Sequence, residues 1–146
     1  MAIDFVANEL MNKIILPGKY SGEINAPASK SYLQRAIALA VFAKDQSVLE
    51  GYEPSRDVDA AISIAIELGA KVEIKGSKLI VSGGHFFHAN LIINCNESGL
   101  SARMFSAIAS LSDREVILTG TGSLLKRPMN IIIDALTKFG KTVGSN

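Results

Sequence analysis

The chain has 146 residues, 48% of them hydrophobic, which is enough apolar material for one compact domain or two small ones sharing a core and excludes a disordered chain. Fifteen Lys and Arg stand against fourteen Asp and Glu, a formal net charge of +1. No global field exists to hold a nucleic acid or an anionic membrane, so any anion must be met locally. Mean hydropathy is +0.27, yet Lys, Arg, Asp or Gly break every apolar run well short of the ~20 residues of a membrane span. Asp4, Asn8 and Glu9 interrupt the first ten residues, so no export signal is read there. The single cysteine, Cys95, has no internal disulfide partner and fits a reducing cytoplasm, and His85 and His88 lack the ligand spacing of a zinc site.

In chain order, residues 13–16 read as a strand before Pro17-Gly18, outside the pattern that follows. Residues 22–26 read as a short strand, and a Pro/Ser elbow leads to a helix over 31–43, where Leu33, Ala36, Ile37, Ala40 and Val41 share one face. A strand over 47–52 leads to a helix over 56–68, with Val58, Ala61, Ile62 and Ala65 on one face and Gly69 as its stop. Strands over 71–75 and 78–82 follow, joined by the two-residue turn Gly76-Ser77. The βαβαββ order then begins again. A strand over 91–95 precedes a helix over 99–111 with Met104, Ala107, Ile108 and Leu111 on its inner face, then a strand over 115–119. Pro128 suits the first position of a fourth helix, which carries Met129, Ile132, Ile133 and Leu136 inward and ends at Gly140.

Arg35 and Arg103 are 68 residues apart, and Gly69 and Gly140 are 71 apart, which predicts two copies of one unit over residues 20–84 and 88–146. Only 6 residues follow Gly140, too few for a closing hairpin. The expectation is an α/β (α+β) chain forming an incomplete domain of a longer protein, with open sheet edges and helix faces that favour self-association.

Three helix openings carry cations: Lys30-Ser31 with Arg35, Gly99 with Arg103, and Lys126-Arg127-Pro128. Cations oppose the positive end of a helix dipole, whereas the free N–H groups there receive anions. Repetition of this unfavourable placement points to a bound anion. The bland alternative for the first opening is a Ser29 or Ser31 cap beside surface cations. Ser55-Arg56-Asp57, with its acid in the usual place, reads as an ordinary helix cap.

The segments Pro27-Ala-Ser-Lys-Ser-Tyr-Leu-Gln-Arg-Ala36, Ser98-Gly-Leu-Ser-Ala-Arg103 and Leu118-Thr-Gly-Thr-Gly-Ser-Leu-Leu-Lys-Arg-Pro128 resemble the N-terminal part of the 5-enolpyruvylshikimate-3-phosphate (EPSP) synthase family, from about residue 13 to 143. The resemblance implies an enolpyruvyl transferase fold, an inside-out α/β half barrel built of βαβαββ units. It also implies a transferase that joins the enolpyruvyl group of phosphoenolpyruvate to the 5-hydroxyl of shikimate 3-phosphate, without a cofactor, in aromatic amino-acid biosynthesis. Carried over by motif, Lys30 lies between the two substrates, Ser31 and Arg35 hold the shikimate end, and Gly99 and Arg127 hold phosphoenolpyruvate. Asp57 falls near the site, and Arg103 matches a family arginine with a supporting role. Glu97 departs from the family pattern, placing a carboxylate where an amide often stands, so it must turn away, pair with a cation, or alter that half of the site. The family's acid/base carboxylates lie beyond residue 146, which implies that no catalytic residue is present and that the chain alone is inactive.

Two rivals remain. The sister enzyme that acts on UDP-N-acetylglucosamine uses a cysteine in the loop corresponding to residues 120–126, which here contains none, and has Lys-Asn where Lys30-Ser31 stands. A non-catalytic anion-binding or interaction module is the other. Binding of RNA ends is disfavoured by the charge balance and 6% aromatic content.

Overall fold

Three helices begin at a serine whose hydroxyl accepts the N–H three residues further on, which satisfies a donor that the helix itself cannot. In the computed structural model, which describes residues 14, 16–84 and 92–144, Ser29 caps helix α1 (Lys30–Phe42), Ser55 caps α2 (Arg56–Glu67) and Ser98 caps α3 (Gly99–Ala109). Helix α4 (Asn130–Lys138) has no side-chain cap. The strands are β1 (Gln46–Glu50), β2 (Lys71–Lys75), β3 (Lys78–Ser82), β4 (Ile92–Asn94) and β5 (Ile117–Thr119).

Strand β3 lies at the centre of an antiparallel sheet of order β1-β3-β2, with Val48 opposite Ile80 and Val72 opposite Val81. Its Leu79 and Val81 alternate inward and are fully buried, the period-2 signature of a strand with one face on the core. Strands β4 and β5 pair in parallel, Ile93 opposite Leu118, with α3 as the crossover. One core joins these layers. Leu33, Ile37 and Val41 of α1 and Val58, Ala61, Ile64 and Ala65 of α2 meet Leu79 and Val81, and the cluster continues through Ile93 and Cys95 to Phe105 and Ile108 of α3.

Several expectations change. Residues 22–26 form no strand: they pair with nothing regular, and Ile24 is 93% exposed. Of the expected strand over 13–16, Lys13 and Ile15 lie outside the described residues, and Ile14 and Leu16 are exposed without regular structure. The inner face of α3 is rotated from the expected one. Ser101, Phe105, Ile108 and Ala109 are buried, while Ala107 and Leu111 face out, because α3 turns a small polar residue toward α1. Helix α4 starts at Asn130, two residues after Pro128. The Leu124 carbonyl ends a 3₁₀ turn over Gly122–Lys126, and Arg127, preceding a proline, is extended at ψ 135°. The expected inner residues of α4, Ile132, Ile133 and Leu136, are only half-buried. His85, His88 and Leu91 fall outside the described residues. No helix among the described residues is long and apolar enough to cross a membrane.

Candidate functional site

The N-termini of α1, α2 and α3 meet at one buried side chain. Gln34, one turn into α1 and 2% exposed, donates from Nε2 to the Asp57 carbonyl (2.8 Å), to Ser98 Oγ (2.8 Å) and to Ser101 Oγ (3.1 Å). The three helix openings are thereby drawn to one side of the molecule, where their unsatisfied N–H groups and positive dipole ends add.

Beside this knot lies an open cleft of about 320 Å³ lined by Lys30, Arg56, Asp57, Glu97, Ser123 and Arg127. Lys30 Nζ meets Asp57 Oδ2 at 3.0 Å, with the two side chains 62% and 35% exposed, so the pair is a solvated one of modest strength. A second concavity, about 260 Å³, runs from Pro27 and Ala28 to Glu53 and Ser55 and shares Lys30 with the first.

Gly99 opens α3 and is buried beneath two guanidinium groups. A Cβ built at this position would stand 2.6 Å from Arg127 Nη1 and 3.0 Å from Arg103 Nη1, so the missing side chain is what lets both cations close over the helix terminus. Arg103 also donates to the Gly99 carbonyl at 3.2 Å.

The Glu97 carboxylate leans onto the 3₁₀ turn. Its Oε2 accepts from Ser123 Oγ at 3.0 Å, and Ser123 Oγ in turn accepts from Arg127 Nη2 at 3.3 Å. One hydroxyl thus relays the acid to the cation. Gly122, at φ +53°, makes room for the acid, since a Cβ there would run into the Glu97 carboxylate.

Of the residues expected from sequence, Lys30, Asp57, Glu97 and Arg127 line one cleft, and Gly99 lies against the guanidinium groups of Arg127 and Arg103. Ser31 and Arg35 are exposed on α1 and are not among the lining residues. Arg35 Nη1 donates to the Ser31 carbonyl at 2.9 Å. Sequence reasoning passed over Arg56, Ser123, and the Gln34–Ser98–Ser101 knot. Arg56 was masked by the ordinary cap that Ser55 and Asp57 suggest. Gln34 carried a visible signal, a polar residue on the stripe of Ile37, Ala38 and Val41. Cys95 is inert here: burial pushes its thiol up to about 11, far from a thiolate at neutral pH.

Residues 15–146 match the family model described as EPSP synthase (3-phosphoshikimate 1-carboxyvinyltransferase). The chain is 39% identical over 140 residues to the 3-phosphoshikimate 1-carboxyvinyltransferase of Methanocorpusculum labreanum, covering 93% of this chain and 33% of that protein. It is 42% identical over 123 residues to the enzyme of the same name from Nitrosopumilus maritimus, covering 84% and 29%. Among solved structures, EPSP synthase from Acinetobacter baumannii matches with a TM-score of 0.74 at 25% identity, over 84% of this chain and 29% of that one. The chain therefore spans about a third of the length of the curated relatives it matches. A mixed α/β chain with this architecture, matched to the family model from residue 15 to residue 146, belongs to the EPSP synthase family.

Proposed function

We propose that the chain is the N-terminal part of a 3-phosphoshikimate 1-carboxyvinyltransferase and supplies the cationic half of a site for phosphoenolpyruvate and shikimate 3-phosphate. The observation that carries this reading is the meeting of three helix N-termini with Lys30, Arg56 and Arg127 around one cleft. In the reaction, the 5-hydroxyl of shikimate 3-phosphate gives up its proton and adds to C2 of phosphoenolpyruvate while C3 takes a proton and becomes a methyl group. The tetrahedral adduct then loses a proton from that methyl group and expels phosphate, which re-forms the C2–C3 double bond as an enol ether. Gathering so much negative charge requires fixed donors aimed at it. Arg127 and the α3 terminus at Gly99 receive phosphoenolpyruvate, and Lys30, held by Asp57, stands between the substrates. Ser31 and Arg35 receive the shikimate end once Arg35 leaves its own helix carbonyl. Arg103 braces Gly99, and Glu97, spent on Ser123, is kept off the anion. No side chain here is assigned the proton transfers, which require a poised acid or base.

In this reading residues 20–84 and 88–146 are successive βαβαββ units of a half barrel, the second incomplete. The rest of the enzyme would cover α4 and β5, and without it the chain self-associates. A cytoplasmic location accords with the lone, unpaired Cys95. A competing reading, an anion-binding module without catalysis, draws on the position of Arg35 outside the cleft lining.

Calorimetric titration with shikimate 3-phosphate, together with a phosphate-release assay containing both substrates, tests the proposal. Weak saturable binding, lost in Arg35→Ala, with no phosphate release, is the expected result. Turnover dependent on both substrates would overturn the inactivity of the chain, and no saturable response to either substrate would leave the module reading in its place.

A further inference from the structure

From the Gln34 knot we infer that Gln34 is a positioning residue, which sets the spacing between the Lys30 ammonium and the N–H groups at the start of α3 and thereby tunes the site for a small phosphorylated carboxylate. The inference rests on the reading of the cleft as an anion site.

The bonding around Gln34 is determined by valence. The Asp57 carbonyl can only accept, so the amide must present its nitrogen to α2. Two N–H groups then serve three oxygens, those of Asp57, Ser98 and Ser101, at 2.8, 2.8 and 3.1 Å. Ser98 Oγ receives Gln34 Nε2 and, at 3.2 Å, the Ser101 N–H, so its own proton is directed to Ser101 Oγ at 3.0 Å. Ser98 Oγ thus both accepts and donates, and no buried side-chain polar atom among the described residues is left without a bond. Networks that are buried and fully satisfied in this way favour one arrangement over its neighbours.

The consequence is geometric. Helix α1 grips residue 57 twice, one turn apart: Lys30 Nζ holds its carboxylate at 3.0 Å and Gln34 holds its carbonyl at 2.8 Å. The same amide holds Ser98, the residue before Gly99. The Lys30–Asp57 pair is too exposed to fix the helices by itself. The register between the Lys30 cation and the Gly99 terminus is carried instead by the buried amide. A residue on the core stripe of α1 that is almost wholly buried and is not among the cleft's lining residues therefore determines how far apart two halves of the anion site stand.

The test uses the 146-residue chain, phosphoenolpyruvate as probe, and Gln34→Met, which keeps length and apolar volume but no donor. Affinity is expected to fall about tenfold, as the anion loses one well-placed hydrogen bond at the displaced start of α3. In the Gln34→Met background, Lys30→Met should cost only about twofold, although it costs about tenfold in the wild-type chain, because a displaced ammonium contributes little. If the Gln34→Met chain no longer unfolds cooperatively in urea, Gln34→Asn replaces it, since its amide is one carbon too short to bridge Asp57 and Ser98 together. Lower stability with unchanged affinity, or additive losses with Lys30→Met, would overturn the positioning role and leave the anion site standing. Absence of saturable binding by the wild-type chain would overturn the anion site itself and this inference with it.

Discussion

At Gly99 the absence of a side chain has a direct consequence for charge. Arg127 and Arg103 close over the helix terminus through the volume that a methyl group would occupy. The backbone there has no positive φ, so alanine fits the helix and only the flexible guanidinium ends must move. Gly99→Ala is expected to change urea stability by less than about 1 kcal/mol while weakening phosphoenolpyruvate binding by about tenfold or more, as a charge-assisted contact is displaced. Calorimetry on the two chains, with urea denaturation alongside, checks both. At Cys95 burial raises the thiol from 9.0 to about 11. The unfolded chain then loses its proton first as pH rises, so stability must fall between roughly pH 9 and 11, by on the order of 2 kcal/mol. Burial acts in the same direction on Tyr52. The Cys95 contribution is read as the difference between wild type and Cys95→Ala in urea titrations across that range, and the slope should be shallower in the variant. Lys30 was legible in sequence because a cation at a helix opening violates the dipole rule, and Gly99 because it opens α3, whereas Arg127, expected at the start of α4, lies against the start of α3 instead. Gln34 showed only as a polar residue on an apolar stripe, and its role was not legible because it depends on two residues more than sixty positions away.

At the scale of elements, the same Ser-x-x pattern starts three helices, yet the serines differ in what else they hold. Among the described residues Ser55 Oγ accepts only the Val58 N–H, whereas Ser98 Oγ serves Ser101 and Gln34 together and is buried. Ser55→Ala should cost about 1 kcal/mol, the usual cap loss. Ser98→Ala should cost more, about 2 to 3 kcal/mol, because the Gln34 donor loses a buried partner. Urea denaturation of the two variants gives the comparison, and equal losses would mean that the knot adds nothing to the cap. The four helices and the β2–β3 hairpin could be read from periodicity and from Gly76-Ser77, since these signals are local. The face of α3 could not. Ser101 occupies a core position because Gln34 meets it there, and hydrophobic periodicity alone turned the helix toward Met104 and Ala107 instead. Residues 22–26 have the alternation of a strand, but a strand needs a ladder, and none forms on that edge of β1.

Across the whole molecule, burial is uneven. The core is continuous from α1 to α3, while α4 has no buried residue and all of β5 is exposed. Ile131 and Phe139 are 81% and 83% exposed, and Leu125 lies on the same segment of chain. Apolar surface of this kind, next to an open strand, promotes association. Sedimentation equilibrium should show dimers whose fraction rises with concentration and falls in the Ile131→Lys, Phe139→Lys double variant. A sharp monomer at high concentration would contradict this. The repeat spacing raised the expectation of two halves of similar order, but it could not show that the openings of three helices come together, because that requires the chain to fold back through Gln34, Asp57 and Ser98.

The account depends on cations and helix N-termini converging to receive a small anion. The most direct measurement is an NMR titration of the chain with phosphoenolpyruvate, following backbone amides and arginine side chains. Saturable shifts confined to Gly99, its neighbours Ser98 and Leu100, and the Arg127 guanidinium, and much reduced in Lys30→Met, are the expected result. Shifts spread evenly over exposed lysines and arginines without saturation, or no shift at Gly99, would contradict it.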